Sequence, residues 1–177
     1  MPRIKPLTEK EITPAIQAAF EKHVQEHKSR ITNMKATMGK HLLVFDVYMK
    51  WYDLYEQVKT ITGGRAAYLY CHAISAGSKC PLCTTYFRKI MIDQGENPEK
   101  LSVTEAEQVL IDFGSCIATN RGAVPPDIYD AVSHIYNEEA MIVLIGFAGQ
   151  MIATNIFSNV LEVEIDEYLA SYVALNK

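Results

Sequence analysis

The chain has 177 residues, a formal net charge of −4 at neutral pH and 49% apolar residues, which is enough for one sizeable core. No stretch concentrates lysine and arginine, so the sequence argues against nucleic acid, which selects a basic face. Residues 1–6 lack the apolar run of a signal peptide. We therefore expect one cytoplasmic domain, residues 1–177, with no nucleic-acid or membrane partner.

Helix signals fill the first half of the chain. A threonine–proline pair begins a predicted helix over residues 14–28, because it supplies an N-cap followed by proline in the first turn. Apolar residues at helical spacing predict a second helix over residues 41–60. A glycine pair then interrupts the pattern, and a third helix is predicted over residues 65–76.

The second half continues in the same way. Proline, capping and apolar signals predict further helical segments that begin near Pro81, Asn97, Thr104, Pro125 and Asn137. The last segment contains the most apolar run, residues 140–157, which falls short of the roughly 20 residues of a membrane span and is interpreted as a core helix. Residues 166–176 are predicted to be weakly helical. Without a hairpin signal, the pattern predicts an all-α fold of roughly eight helices.

The four cysteines are Cys71, Cys80, Cys83 and Cys116. Without a secretory signal they are expected to be reduced thiols. Cys80 and Cys83 lie at the start of a predicted helix, on one face and close enough to form a disulfide. Unpaired N–H groups and a partial positive charge at a helix start favour the thiolate, which is the nucleophile in exchange and peroxide reduction. Cys83 lies inside the first turn, where these groups favour its thiolate, and Cys80 is expected at the open helix mouth, from which it can reach a reductant. The pair therefore predicts a thiol–disulfide redox site.

Two other interpretations of the pair stay open. Cys80 and Cys83 could be half of a zinc site that Cys71 and His72 complete, since structural zinc needs four ligands. Adjacent residues of a helix point about 100° apart, so Cys71 and His72 would reach one metal only awkwardly, and no metal is predicted. The thiols could also be unrelated, or a degenerate redox site. Cys71 and Cys116 are expected to be small core residues.

The segment around Cys80 and Cys83 resembles the carboxymuconolactone decarboxylase family, in particular its alkylhydroperoxidase D-like branch. That family has a Glu on one helix, then Cys-x-x-Cys, and then a His one turn later. The order of helices is also similar, and the resemblance spans roughly residues 42–166, with residues 14–28 and 166–177 as extensions.

This resemblance implies an all-α fold of antiparallel helices that assembles into homo-oligomers. A surface for such assembly is suggested by the apolar, aromatic helix around Trp51, Tyr52 and Tyr55, which would gain from burial.

The sequence departs from the family pattern at two positions. The family's Glu falls at Tyr68 and its His at Phe87, and in the family these two residues form a proton relay. The resemblance implies that Cys83 is the attacking thiol and Cys80 the resolving thiol, without that relay. His72, one turn after Tyr68, projects from about the same face and is the candidate replacement.

The predicted function is a thiol-dependent oxidoreductase, an antioxidant peroxidase or a disulfide exchanger, which needs a dithiol reductant and no cofactor. One alternative is the lactone chemistry of the decarboxylase branch, for which Arg65 and Arg88 are the cations next to the motif. Another is a non-catalytic helical oligomer with a degenerate site. Tyr86 could donate a proton, but its expected role is packing.

Overall fold

Helices form the whole architecture of residues 1–174, the part of the chain that this computed structural model describes. Nine α-helices lie within it: α1 (Pro14–His27), α2 (Asn33–Met38), α3 (Leu42–Met49), α4 (Trp51–Thr62), α5 (Gly64–Gly77), α6 (Pro81–Asp93), α7 (Glu105–Thr119), α8 (Pro126–Ser133) and α9 (Glu138–Leu161). Short 3-10 helices span Glu9–Glu11 and Glu167–Tyr172. No strand occurs in residues 1–174, and the predicted all-α fold is confirmed.

Side-chain caps begin several helices where the sequence predicts them. Thr13 accepts from the Ile16 N–H at the start of α1, and Asn137 caps α9. Thr104 and Glu107 form a reciprocal capping box at the start of α7. These starts are local features, which is why the sequence alone located them.

Two helical predictions were wrong, and one helix was not predicted. The helix predicted over residues 41–60 is two helices, because the Lys50 N–H donates to the Val47 carbonyl three residues back and the helix tightens there. The piece predicted at Asn97 is a turn, in which the Asn97 side chain accepts from the Glu99 N–H and competes with helix formation. Helix α2 was not predicted. Within the weakly helical tail, Glu167–Tyr172 is a 3-10 helix, and residues 175–177 lie outside the described part.

Helix α5 is the centre of the fold and contacts α4, α6, α7 and α9. Its close packing on α7 requires glycine at position 114, where an added Cβ would lie 2.6 Å from the Tyr70 ring. The Tyr70 hydroxyl donates to the Leu144 carbonyl of α9 over 3.1 Å. These contacts hold α5 against both α7 and α9.

The apolar helix α9 is 24 residues long, so the expectation that it is too short for a membrane span was wrong. The helix begins directly after its Asn137 cap, so a polar first turn precedes the apolar run. The helix is long and apolar enough to cross a membrane, but core helices of soluble proteins also meet these two criteria. One face is a core face, where Leu144, Phe147 and Ala148 are fully buried.

The aromatic residues predicted to form a surface for self-association are packed inside the fold. Trp51 is 8% exposed, and Tyr55 stacks on Phe147 of α9 with ring centroids 5.8 Å apart. The Tyr52 hydroxyl lies against Ser29 and Lys35. Tertiary packing accounts for the difference, because α4 packs these rings against α9 and α2.

Candidate functional site: a buried dithiol beside a cavity

Cys80 and Cys83 occupy the start of α6, as predicted. Cys80 is the N-cap residue, and Cys83 follows in the first turn after Pro81. The Cys80 N–H donates to the Ser75 carbonyl over 3.0 Å, which ties the start of α6 to the end of α5. Both are free thiols, and Cys80 is 0% exposed whereas Cys83 is 8% exposed. The expectation that Cys80 lies at an open helix mouth was therefore wrong.

The two thiols interact, and their pKa values move in opposite directions. The hydrogen bond with Cys83 lowers the pKa of Cys80, and the backbone N–H groups of Cys83 and Leu82 add to this effect. The same hydrogen bond and burial raise the pKa of Cys83. Of the two thiols, Cys80 is thus the easier to deprotonate, whereas the position of Cys83 inside the first turn had favoured the thiolate of Cys83. The buried hydroxyl of Ser158 on α9 lowers the pKa of both thiols.

A cavity of about 250 Å³ adjoins the pair, and Cys83 lies in its wall whereas Cys80 does not. Its apolar side is formed by Leu82, Phe87, Ile90, Met151 and Leu169. A small molecule in the cavity therefore meets Cys83 first, with Cys80 behind it.

A further, polar side of the cavity wall centres on Lys35, which is only 3% exposed. Lys35 Nζ donates to Ser29 Oγ over 2.7 Å, to the Arg30 carbonyl over 2.9 Å and to Tyr52 Oη over 2.8 Å. Burial lowers the pKa of Lys35 to about 7, although the charge of Asp166 acts in the other direction. Burial also raises the pKa of Tyr52.

This polar cluster was missed by the sequence analysis. Lys35 lies on α2, a six-residue helix without a strong periodic signal, and Tyr52 was interpreted as a surface residue. The available signal was the lysine between Met34 and Met38, because a charged residue among large apolar ones is often buried against a partner.

A C-terminal segment, residues 163–172, covers the thiols from outside. Val163 and Leu169 pack in one apolar cluster with Cys80 and Cys83. The segment is attached on one side by the Asn33 N–H, which donates to Asp166 over 2.8 Å. Further contacts hold its end: the Arg30 guanidinium lies 4.1 Å from the Tyr168 ring centre, and Arg88 Nε donates to the Tyr172 carbonyl over 3.1 Å.

The candidate replacement relay does not assemble around the thiols. The Tyr68 hydroxyl donates to Glu96, which also forms a two-point ion pair with Arg65 at 3.0 and 2.9 Å. His72 is absent from the cavity wall, and its Nε2 is buried without a hydrogen-bond partner among the described residues. Burial and the Arg88 charge lower the pKa of His72. Phe87 lies in the wall and carries no proton.

Packing and polar contacts within the fold account for the other residues that the sequence singled out. The Tyr86 ring packs edge-on against Phe87 at 5.2 Å. Cys71 is fully buried, and Cys116 accepts from the Asn120 amide over 3.3 Å, so both are core residues as predicted. Within residues 1–174 no group of three or more His, Cys, Asp or Glu side chains is placed to hold a metal ion. Arg88 pairs with Glu99.

The fold and the site define an all-helical protein with a buried dithiol at a helix start, next to an apolar cavity. Among solved structures the chain is similar to the debrominase Bmp8, with 18% identity and a TM-score of 0.78 over 96% of this chain and 95% of that one. A cysteine-to-alanine variant of Bmp8 in complex with 2,3,4-tribromopyrrole gives the same identity and TM-score, over 96% and 94%.

No protein-family model and no curated protein sequence match the chain. The likeness to Bmp8 shows the fold and agrees with the predicted helical architecture. Membership of the carboxymuconolactone decarboxylase family stays a prediction from the sequence.

Proposed function

We propose that this protein is a cytoplasmic dithiol oxidoreductase that reduces a small apolar substrate, foremost an organic hydroperoxide. The observation that carries the proposal is the position of Cys83 in the cavity wall, with Cys80 hydrogen-bonded to it at the same helix start. One thiol can meet the substrate while the other is close enough to complete the reaction.

The reaction uses both thiols in turn. Cys83 Sγ attacks the outer oxygen of the hydroperoxide while its proton passes to the Cys80 thiolate. The O–O bond breaks, the alcohol leaves once its oxygen is protonated, and Cys83 becomes a sulfenic acid. The Cys80 thiol then attacks the sulfenic sulfur, water leaves and a disulfide forms. A dithiol reductant restores both thiols by exchange and is itself oxidised.

A second candidate is reductive dehalogenation of a small aromatic compound. Aromatic rings of Trp51, Tyr52, Tyr86, Phe87 and Tyr168 line the cavity, and the fold is that of a debrominase whose variant binds a tribromopyrrole. The same dithiol would supply two electrons: an aryl bromide and two thiols yield the arene, a disulfide and hydrogen bromide. Lactone chemistry has less support, because Arg65 and Arg88 are engaged by Glu96 and Glu99.

Single-turnover assays test the proposal. Reduced protein is mixed with cumene hydroperoxide or with 2,3,4-tribromopyrrole, and remaining thiols, alcohol and bromide are measured. We expect the wild type to lose two thiols with one substrate, Cys83→Ser to lose none, and Cys80→Ser to stall after one turnover as a sulfenic acid when given the peroxide. Cys116→Ser is the matched control, because Cys116 is buried away from the cavity. Full activity in Cys83→Ser would remove this thiol from the reaction.

A further inference from the structure

Reduction of a hydroperoxide requires an acid that the Cys-x-x-Cys motif does not contain. The departing alkoxide must gain a proton, a contribution typically worth ~10²–10⁴-fold in rate. The Phe87 side chain has no proton that it can donate, and the Tyr68 hydroxyl already donates to Glu96. The acid must therefore be another group of the cavity wall, and Tyr52 is the tyrosine there whose hydroxyl is hydrogen-bonded by a lysine ammonium.

The polar side of the cavity contains a chain of three protonated groups. Lys35 Nζ uses all three of its donors on Ser29, Arg30 and Tyr52, so it has none left for a substrate. Ser29 Oγ accepts from Lys35 and lies 2.7 Å from Tyr52 Oη, and either hydroxyl can donate across this contact. When Ser29 donates, Tyr52 Oη accepts two hydrogen bonds, and its own proton is available to a molecule in the cavity.

We propose that Tyr52 is the acid that protonates the leaving oxygen, while Lys35 and Ser29 stabilise its phenolate and Lys35 returns the proton. The proposal rests on the proposed peroxide reduction and adds its missing proton. The balance closes: the hydroperoxide, the Cys83 thiol and the Lys35 ammonium contribute one proton each. These three protons appear in one alcohol and one water, and neutral Lys35 and the disulfide remain.

The electrostatics of the cluster agree with this role. Burial brings the pKa of Lys35 to about 7, so its ammonium can release a proton near neutral pH. Asp166 favours the ammonium. The His27 ring stacks on the Tyr52 ring with centroids 4.4 Å apart. Nearby, the His23 ring meets Tyr52 edge-on at 5.1 Å and has its pKa lowered to about 4, so it is neutral in this range. Tyr86 and Tyr168 act on Tyr52 and raise its pKa, as burial does.

The test compares two oxidants that differ in their need for an acid. An alkyl hydroperoxide expels an alkoxide, which must be protonated, whereas peracetic acid expels acetate, which need not be. Tyr52→Phe removes one oxygen atom and keeps the ring. In single turnovers we expect it to slow reduction of the alkyl hydroperoxide by ~10²-fold or more and that of peracetic acid by less than about threefold. We also expect the difference in alkyl hydroperoxide rate between wild type and Tyr52→Phe to become smaller as the pH rises through about 7, where Lys35 loses its proton.

Tyr55→Phe is the matched control, because Tyr55 stacks on Phe147 and makes no bond to Lys35 in the described structure. Both of its rates should remain at the wild-type level. An equal loss with both oxidants in Tyr52→Phe, or no loss with either, would overturn the assignment. A wild type that reduces neither oxidant would instead overturn the proposed peroxide reduction, so the two failures are distinguishable.

Discussion

Lys35 Nζ and Tyr52 Oη lie 2.8 Å apart on the polar side of the cavity whose wall contains Cys83. The two residues belong to α2 and α4, while the thiol belongs to α6. The chemistry available to Cys83 therefore depends on helices that are remote in sequence from the Cys-x-x-Cys motif.

The first concerns which thiols pair. Mild oxidation should link Cys80 to Cys83, because their spacing at a helix start allows the Cα separation of ~4.4–6.8 Å that a disulfide requires. Mass spectrometry of the digested protein would identify the linked peptides. Cys71 should stay reduced, since it is fully buried on α5 with its pKa raised by burial. A disulfide between Cys71 and either thiol of the pair would contradict the geometry.

The second concerns position 87. Phe87 lies in the cavity wall one turn after Cys83, so Phe87→His places an imidazole where it can serve as an acid. We expect faster reduction of an alkyl hydroperoxide, and recovery of most of the rate that Tyr52→Phe loses when the two changes are combined. Phe87→Leu controls for the lost ring. An unchanged rate in Phe87→His would show that proton supply does not limit the reaction in this cavity.

The third concerns acid stability. His23 is buried, and neither of its ring nitrogens has a hydrogen-bond partner within residues 1–174. Burial lowers its pKa from 6.5 to about 4, helped by the charge of Lys35. Between these values the unfolded chain binds a proton that the folded chain does not, so stability must fall as the pH drops from 6.5 towards 4. The loss should be about 1–3 kcal/mol, since one pKa unit corresponds to ~1.4 kcal/mol.

Denaturant unfolding at several pH values measures this loss. In His23→Phe, where the ring joins Phe45 and Tyr52, the dependence in that range should largely disappear. His27→Gln, one turn along the same helix, should keep it. A wild type and a His23→Phe variant with parallel pH profiles would show that His23 is protonated in the folded state.

The fourth concerns self-association, which stays a prediction from the family resemblance. The aromatic surface first considered is buried, but α9 exposes aliphatic side chains at Ile142, Ile145, Ile156 and Val160, and Ile142 is 72% exposed. Sedimentation should give a mass above the 19.9 kDa of one chain, and Ile142→Glu should lower it. Ile135→Glu, on the loop before α9, should not. A wild type that sediments only as a monomer at micromolar concentration would reject the prediction.

Local signals made part of this site predictable. Cys80 and Cys83 are brought together by a single helix turn, and the caps at Thr13 and Thr104 need only their own neighbours. The position of Lys35 beside Tyr52 depends on how α2 packs against α4, and such packing produces no local pattern in the sequence. The protonation of the thiols depends on burial as well as on the helix start, so the sequence predicted a thiolate on Cys83 whereas the fold favours Cys80.

The cover over the thiols has a consequence for biosynthesis. Val163 and Leu169, which pack on Cys80 and Cys83, come after the whole of α7, α8 and α9 in the chain. Because a protein emerges from the ribosome from its N-terminus, both thiols leave the exit tunnel well before the residues that shield them. During that interval they are open to oxidants and to exchange with other proteins, and a nascent chain stopped before residue 163 would expose a reactive dithiol.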